Sequence, residues 1–252
     1  GNVSATSSDS ALIDTFAPAV TVTITEDANN DGIINTAELS GPANVSIGLP
    51  GGAAVGDIVT VSDGTTTNTI TLVAADLLAG TVTTSFAAPA SGSTLTVTAT
   101  LTDANGNVSA TSSDSALIDT FAPNLSAQSF NYNENQSAGA TVATVVATDN
   151  LAVTGFNFTA TGTALSADGY YSIDNSGVIT LTAAGAASAV NDFEAGTNTG
   201  IYSVTARDAA GNTSAANVTL NEMNLNDNAP VLTTGSTLAY TENATSAINT
   251  LI

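Results

Sequence analysis

The chain has 252 residues and carries 22 acidic side chains against one basic side chain, which gives a formal net charge of −21. This charge argues against nucleic acid and anionic membrane surfaces as partners, because phosphate groups are bound by lysine and arginine. Histidine and cysteine are absent from the sequence, so zinc, copper and iron–sulfur sites lack their usual ligands. Carboxylate, amide and carbonyl oxygens remain, and these are the ligands of a hard cation such as Ca²⁺.

The first feature in chain order is a repeat. The first eighteen residues, GNVSATSSDSALIDTFAP, return letter for letter at residues 106–123. A repeat at about the size of a small domain indicates a tandem array. We therefore expect residues 1–14 to be the last hairpin of an upstream repeat, residues 15–120 and 121–228 to be two complete domains, and residues 229–252 to begin a third. No stretch reaches the roughly 18 apolar residues of a membrane span, so direct membrane insertion is not expected.

Period-two alternation of apolar and polar residues predicts the strands of the first domain. Glycine, proline and Asp-Gly pairs separate the alternating runs, and Thr36–Leu39 and Ala74–Leu78 indicate single helical turns. The predicted strands are Val20–Thr25, Val45–Leu49, Ile58–Ser62, Thr69–Val73, Val82–Phe86, Leu95–Leu101 and Val108–Ile118.

The second domain alternates in the same way. Its predicted strands are Phe130–Tyr132, Thr141–Thr148, Phe156–Ala160, Tyr171–Ile173, Val178–Leu181, Ile201–Arg207 and Ala215–Asn224. About seven short strands in each domain predict an all-β fold of tandem antiparallel β-sandwiches of immunoglobulin type in an elongated array. The related segments Asp103–Asn107 and Asp208–Asn212 predict matching hairpins in the two domains.

An acidic loop, Asp27-Ala-Asn-Asn-Asp-Gly-Ile-Ile-Asn-Thr-Ala-Glu38, follows the first predicted strand. Its spacing satisfies the twelve-residue calcium loop of EF-hands at every ligand position, with glycine at the sharp turn. The predicted ligands are Asp27, Asn29, Asp31, the Ile33 carbonyl, Asn35 and Glu38. A strand enters this loop where an EF-hand has a helix, which leaves a chance acidic turn as the alternative. We favour calcium, because the spacing gathers six oxygens around one point.

A second set of acids is spread through the second domain. It consists of Glu134, Asp149, Asp192-Phe193-Glu194, Asp208 and Asn226-Asp227-Asn228-Ala229-Pro230. In this order and spacing, residues 122–230 resemble a cadherin repeat. The resemblance implies a sandwich with Ca²⁺ at its ends, in which Asp149 and Asp208 reach back to the preceding domain. It also implies calcium ligands at the far end, namely Glu134, Asp192, Glu194, Asn226, Asp227 and Asn228.

The cadherin pattern is incomplete, because Asn224 and Leu151 stand where cadherin repeats usually carry aspartate. The departures imply fewer ions than at a cadherin joint. The alternative for the whole set is a group of solvated loop acids. Calcium is favoured over that alternative because five separated positions fit the pattern together.

The first domain resembles the bacterial Ig-like repeats of giant biofilm-associated surface proteins and RTX adhesins, over residues 14–123. The segments that carry the resemblance are Ile13–Pro18, Asp27–Gly41, Leu49–Asp57, Ala74–Thr81 and Asp103–Asn107. It implies an extender role at the bacterial cell surface, between an anchoring end and ligand-binding domains. Neighbouring repeats of the same chain would be the direct partners, and distal domains would reach other cells, surfaces or glycans.

The sandwich topology predicts which acids meet at three joints. The hairpin before the last strand lies at the entry end of an Ig-type sandwich, and the connection after the first strand lies at the exit end. At the upper joint, before the first domain, Asp14 is expected to face Asp103. At the middle joint, between the two domains, the Asp27–Glu38 loop and Asp119 are expected to face Asp149 and Asp208. At the lower joint, after the second domain, the expected group is Glu134, Asp192, Glu194 and Asp227. These carboxylates would repel one another without a metal, so we expect several Ca²⁺ ions.

Two other functions stay open. A glycan- or protein-binding module would use Tyr170 and Tyr171 beside Asp168 as a platform, although packing at a strand edge explains these tyrosines more simply. A filament subunit assembled by strand exchange would use the Gly1–Asp14 segment, for which an excerpt boundary is the simpler explanation. An enzyme is not expected, because the paired acids Asp192 and Glu194 are already interpreted as calcium ligands.

Overall fold

The computed structural model describes residues 1–11 and 13–227, which contain fifteen strands and two short α-helices. Residues 228–252, where a third domain and the candidate ligand Asn228 were predicted, lie outside the described residues. The all-β prediction is confirmed, because the strands form four sheets that face each other in pairs around two hydrophobic cores. No helix in the described ranges is long and apolar enough to cross a membrane.

The first sandwich contains β1 to β8. Strands β1, β3 and β6 form one sheet, and β2, β8, β7, β4 and β5 form the other. The bounds are β1 Thr21–Ile24, β2 Ile33–Ile34, β3 Ala43–Gly48, β4 Ile58–Ser62, β5 Thr67–Thr71, β6 Thr81–Phe86, β7 Thr94–Thr102 and β8 Ser112–Ile118. Alternation builds the core, since inward residues such as Ile24, Ile47 and Leu101 are at most 1% exposed.

One of the two predicted helical turns forms. Helix α1 spans Ala74–Ala79, where the Asp76 carboxylate accepts a hydrogen bond from the Val73 amide and Gly80 ends the helix at φ 71°. Thr36–Leu39 forms a hydrogen-bonded turn instead of a helix. The Asn35 side chain accepts hydrogen bonds from the Ala37 and Glu38 amides there. A side chain in this role favours a turn over a longer helix.

The second sandwich contains β9 to β15. Strands β10, β13 and β12 form one sheet, and β11, β14, β15 and β9 form the other. The bounds are β9 Gln128–Asn133, β10 Thr141–Thr144, β11 Val153–Phe158, β12 Tyr171–Ile173, β13 Val178–Leu181, β14 Thr199–Asp208 and β15 Thr213–Met223. A short helix α2, Ala183–Ala186, and a 3₁₀ turn, Ala189–Asn191, lie between β13 and β14 and were not predicted.

Two strand pairs are parallel, and the sequence did not predict them. Strand β2 pairs with β8, and β9 pairs with β15, whereas the remaining ladders are antiparallel. The β2 pairing places the Asp119 amide against the Ile34 carbonyl at 2.9 Å. The β9 pairing places the Glu134 amide against the Met223 carbonyl at 3.1 Å. Each parallel pair therefore fixes one predicted calcium ligand at an end of its sandwich.

The two copies of the eighteen-residue repeat differ in structure. Residues 112–118 of the second copy are β8, but the described residues of the first copy contain no strand or helix. No described strand lies alongside the first copy. That residues 1–14 form the last hairpin of an upstream repeat stays a prediction.

Candidate metal centres at the joints

Three carboxylates lie together at the middle joint, between the two sandwiches. Asp119 follows β8 directly, Asp208 is the last residue of β14, and Asp149 lies in the connection between β10 and β11. One oxygen of each carboxylate lies within 4.8 Å of the other two. The sequence predicted that Asp119 would face these two acids, and the structure places it there.

The Asp119 side chain is fully buried, with 0% exposure. Its Oδ1 accepts hydrogen bonds from the Ser91 hydroxyl at 3.2 Å and the Asn150 side-chain nitrogen at 3.1 Å. Its Oδ2 is also buried, and it has no hydrogen-bond partner within the described part of the chain. A buried charged oxygen without a partner is strongly unfavourable. The three carboxylates therefore fit a divalent cation, which would supply the missing positive charge.

A direct hydrogen-bonded clamp also crosses the middle joint. The Asn212 side-chain nitrogen donates to the Asp119 carbonyl at 3.0 Å and to Asp208 Oδ2 at 3.0 Å. The Asn212 amide donates to Asp208 Oδ1 at 2.8 Å. These bonds orient both carboxylate oxygens of Asp208. The bond to the Asp119 carbonyl also holds the linker against the second sandwich. The sequence predicts the recurring hairpin, but it does not predict that the hairpin asparagine bonds the linker to the second sandwich.

The Asp27–Glu38 loop reaches the same joint through its second half. The Asn35 side-chain nitrogen donates to the Ala210 carbonyl at 3.1 Å, and the Thr36 amide donates to Asn212 Oδ1 at 3.1 Å. The Thr36 hydroxyl donates to the Thr120 carbonyl at 2.9 Å. The loop thus packs against the hairpin of the second sandwich, on the side that the sequence predicted.

Within the loop, the acidic side chains fold back onto the backbone. Both oxygens of Asp27 accept amide hydrogen bonds, from Asp31 at 3.0 Å and from Gly32 at 2.9 Å. Gly32 adopts φ 82°, as expected for the sharp turn. The other loop contacts join the Asp31 amide to Asn29, the Ile33 amide to Asp31, and the Asn35 amide to Glu38. The loop acids are outside the two close carboxylate groups found among the described residues, so calcium here stays a prediction.

The upper joint repeats the clamp with residues that are exposed or half-buried. The Asn107 side-chain nitrogen donates to the Asp14 carbonyl at 3.2 Å and to Asp103 Oδ2 at 2.8 Å. The Asn105 side chain donates to Asp14 Oδ2 at 2.9 Å. The Asn107 side chain is the main cause that holds the pKa of Asp103 below its ordinary value. Asp14 and Asp103 therefore lie on facing segments, as predicted, without a third carboxylate close by in the described ranges.

The second close carboxylate group lies at the lower joint and contains Glu134, Glu194 and Asp227, each with one oxygen within 4.8 Å of the others. Glu134 is 1% exposed and accepts hydrogen bonds from the Phe193 amide at 2.9 Å and the Leu225 amide at 2.6 Å. The structure places three of the predicted ligands together. Asp192 and Asn226 are exposed and outside the group, and Asn228 lies beyond the described residues.

Sequence reasoning missed Glu222, which lies on β15 close to the lower joint. Its side chain is 6% exposed, and neither carboxylate oxygen has a hydrogen-bond partner among the described residues. Burial, followed by the charges of Glu134, Asp192 and Glu194, raises the pKa of Glu222 to about 7. Alternation could have identified it, because Val218, Leu220 and Glu222 point to the same face of the strand.

Comparison with known proteins gives distant likenesses. No family model matches the chain, and no curated protein matches it. The human desmocollin-1 ectodomain is similar over 82% of this chain and 38% of its own, with 16% identity and a TM-score of 0.39. A 1.5-MDa bacterial ice-binding adhesin is similar over 81% of this chain and 64% of its own, with 19% identity and a TM-score of 0.39. Drosophila N-cadherin EC1-4 is 17% identical, with a TM-score of 0.39 over 77% of this chain and 47% of its own.

The chain spans less than two thirds of the length of each of these three structures. Identities below 20% and TM-scores of 0.39 carry no information about what this chain binds.

Proposed function

We propose that this chain is an extender segment of an extracellular adhesin, in which Ca²⁺ at the joints holds each sandwich in a fixed arrangement with the next. One observation carries the proposal: the buried Asp119 Oδ2 lacks a partner within the described chain and belongs to a carboxylate group with Asp149 and Asp208. Asp119 belongs to the linker, and the other two acids belong to the second sandwich. A cation bound here would join the end of one sandwich to the start of the next.

Electrostatics explains how calcium would act at this joint. Two unit charges about 4 Å apart interact by about 4 kcal/mol at an effective dielectric constant of 20. Three carboxylates therefore favour separation of the sandwiches when no cation is bound. A divalent cation reverses the sign of the local interaction, because each carboxylate then contacts an opposite charge. The Asn212 clamp crosses the same joint, and the bound ion would reinforce it.

Further calcium sites belong to the same proposal. The lower joint would use Glu134, Glu194 and Asp227, with Asp192, Asn226 and Asn228 as additional ligands. The Asp27–Glu38 loop would hold an ion of its own beside the middle joint. The upper joint, with Asp14 and Asp103, would receive carboxylates from a preceding repeat.

We assign the segment to the bacterial cell surface, in adhesion and biofilm formation. Its direct partners would be neighbouring repeats of the same chain, and distal domains would contact other cells, surfaces or glycans. A chain that acts through length and stiffness needs no catalytic group, and we expect no enzymatic activity. The acidic surface is consistent with this role, since a net charge of −21 disfavours close association with anionic cell envelopes.

Small-angle X-ray scattering of the full chain in millimolar Ca²⁺ and in excess EGTA tests the proposal. We expect a single maximum dimension in calcium and a broader distribution of dimensions in EGTA. The Asp119→Asn variant should behave in calcium as the unchanged chain behaves in EGTA. The Asp14→Asn variant is the matched control, because Asp14 has the same local sequence but lies outside the carboxylate group.

Identical scattering of the unchanged chain in calcium and in EGTA would contradict the extender proposal. An equal response of the Asp119 and Asp14 variants would contradict the assignment of the ion to the middle joint. Mg²⁺ at the same concentration provides a specificity control, because Mg²⁺ demands near-octahedral geometry and retains its water ligands.

A further inference from the structure

A small cavity of about 230 Å³ lies within the second sandwich, away from the carboxylate group of the middle joint. Four of the five tyrosines in the chain line it. They are Tyr132, Tyr170, Tyr171 and Tyr202, and Asp168 and Asn198 lie among them. Tyr132 and Tyr171 belong to the second hydrophobic core, and Tyr170 and Tyr202 pack against it. Because the same rings also line a cavity with polar groups, the cavity is a candidate binding site.

The tyrosine rings are held in place by one another. Tyr171 packs edge to face against Tyr132, with ring centroids 6.4 Å apart, and against Tyr202, with centroids 5.0 Å apart. The Tyr132 hydroxyl donates to the Val190 carbonyl at 2.7 Å and also lies 2.8 Å from the Tyr171 hydroxyl. Since Tyr132 has one hydroxyl proton, the Tyr171 hydroxyl must be the donor in that second bond.

The hydroxyl proton of Tyr202, the third packed ring, is also used in a hydrogen bond. The Tyr202 hydroxyl donates to Asp168 Oδ2 at 2.7 Å. Asp168 Oδ1 accepts from the Ser166 hydroxyl at 2.6 Å and the Tyr170 amide at 3.0 Å. Partial burial acts to raise the pKa of Asp168, but the hydrogen bonds from Ser166, Tyr170 and Tyr202 outweigh it and lower the pKa below its ordinary value. Asp168 is therefore a carboxylate at neutral pH.

The three packed tyrosines and Asp168 thus present acceptors in excess of donors. Free lone pairs remain on the Tyr171 and Tyr202 hydroxyl oxygens and on the Asp168 carboxylate. Asn198 Oδ1 is buried and has no partner within the described residues. Glu222 adds negative charge beside the cavity, where it contributes to the raised pKa of Tyr132.

We propose that this cavity binds a small organic molecule through a protonated primary amine. An ammonium group offers three hydrogen-bond donors and a positive charge, which match the free acceptors, the Asp168 carboxylate and the aromatic rings. A neutral sugar fits less well, because its hydroxyls carry no charge to pair with the Asp168 carboxylate. The chain contains no lysine whose side-chain ammonium group could occupy the cavity.

Nuclear magnetic resonance titration of the full ¹⁵N-labelled chain in saturating calcium tests this inference. The charged probes are n-butylammonium and glucosamine, and their neutral counterparts are n-butanol and glucose. We expect shifts at residues of the cavity with both ammonium probes, with affinities of about 1 mM. Each neutral counterpart should bind at least about tenfold more weakly, because it lacks the cation–aromatic and carboxylate interactions. If n-butylammonium binds with the higher affinity, the ligand carries an alkyl group; if glucosamine does, the ligand is an amino sugar.

Three variants complete the test. Asp168→Asn should weaken ammonium binding about tenfold, and Tyr202→Phe should weaken it several-fold, because Tyr202 orients the carboxylate. Asp174→Asn is the matched control. It removes the same charge from another hydrogen-bonded turn of the same sandwich and should leave the affinity unchanged.

Three results would overturn the inference: absence of ammonium binding, equal binding of charged and neutral probes, or an equal loss in the Asp174 and Asp168 variants. None of these results depends on calcium at the joints, because calcium is saturating in every sample. A failure here is therefore distinguishable from a failure of the proposed extender function.

Discussion

Residues 106–123 and residues 1–18 have the same sequence, yet among the residues that the structure describes only the later copy contains a strand. In the later copy, Ile118 is 1% exposed, because β8 lies between β7 and β2 and its inward side chains enter the first core. In the earlier copy, the equivalent Ile13 is 84% exposed. Identical local sequence therefore leaves the strand undetermined, and the neighbouring strands decide whether it forms.

The same comparison applies to the acids at the ends of the two copies. Asp14 and Asp119 each offer a backbone carbonyl to the asparagine of a D-A-x-G-N hairpin, Asn107 or Asn212. Only Asp119 is buried and close to two further carboxylates in the described structure. The difference arises from the second sandwich, which supplies Asp149 and covers the joint. An aspartate of this repeat is thus a candidate cation ligand where the two flanking sandwiches bury it and further carboxylates lie close to it.

The largest difference between the copies should appear in their apolar side chains. Ile118→Ala should destabilise the first sandwich by about 2–5 kcal/mol, because it leaves a cavity in a packed core. Ile13→Ala should change stability by less than about 0.5 kcal/mol, because Ile13 is exposed. Urea unfolding of both variants measures the pair. Equal losses in the free energy of unfolding would show that Ile13 is also packed in solution, which would contradict the difference between the two copies.

The next difference should appear in the response to calcium. At a hundredfold excess of calcium over its dissociation constant, one site stabilises the folded chain by about 2.7 kcal/mol. Asp119→Asn should lose most of this gain, and Asp14→Asn should keep it, because only Asp119 belongs to a close carboxylate group. Thermal unfolding with and without EGTA measures both. A calcium response that survives Asp119→Asn would place the stabilising ion elsewhere.

The last strands of the two sandwiches provide a third contrast, because β8 buries Ile118 where β15 buries Glu222. The pKa of Glu222 is raised to about 7 in the folded chain from 4.5 for the free side chain, mainly by burial. The stabilising effect of its protonated form is fully present below pH 4.5 and is lost as pH rises through 7. In EGTA, the free energy of unfolding of the unchanged chain should therefore fall by on the order of 1 kcal/mol between pH 5 and 8, relative to that of the Glu222→Gln variant.

Denaturant unfolding at a series of pH values measures this difference. The exposed-turn variant Asp174→Asn serves as a control, and its pH dependence should follow that of the unchanged chain. A Glu222→Gln variant with an unaltered pH dependence would show that the carboxylate is hydrated in solution.

The smallest expected effect concerns the asparagine clamps. Asn212→Ala should cost about 1 kcal/mol, because it removes hydrogen bonds to the Asp119 carbonyl and Asp208 in a buried setting. Asn107→Ala should cost less, because its contact with the Asp14 carbonyl is exposed and its contact with Asp103 is only half-buried. Paired unfolding measurements would sharpen the comparison of the joints. A larger loss in Asn107→Ala would reverse it.

Alternation predicted most of the strands, because each half-buried strand shows its inward face in the sequence. Ile58–Ser62, Tyr171–Ile173 and Val178–Leu181 have the predicted bounds. The two-residue strand β2 was missed, since it is too short to show a period and forms only by pairing with β8. The parallel pairing of β9 with β15 was also missed, because it joins residues about 90 positions apart.

The candidate site was predictable where a sequence pattern carried the signal. The cadherin resemblance singled out Asp149, Asp208, Glu134, Glu194 and Asp227, and the expected sandwich topology added Asp119. The sequence did not reveal that Asp119 Oδ2 would be buried without a partner among the described residues, because burial depends on the packing of both sandwiches. Only two of the four tyrosines that line the cavity could be grouped from the sequence. Tyr170 and Tyr171 are adjacent in sequence, but Tyr132 and Tyr202 join them through the sheets.

A crystal structure of the full chain grown in saturating calcium tests the central claim most directly. We predict one cation at the middle joint, bound by oxygens of Asp119, Asp149 and Asp208 at about 2.3–2.6 Å. Anomalous scattering would identify the ion as calcium. A middle joint in which Asp119 Oδ2 binds only ordered water, with no cation between the three carboxylates, would contradict the claim.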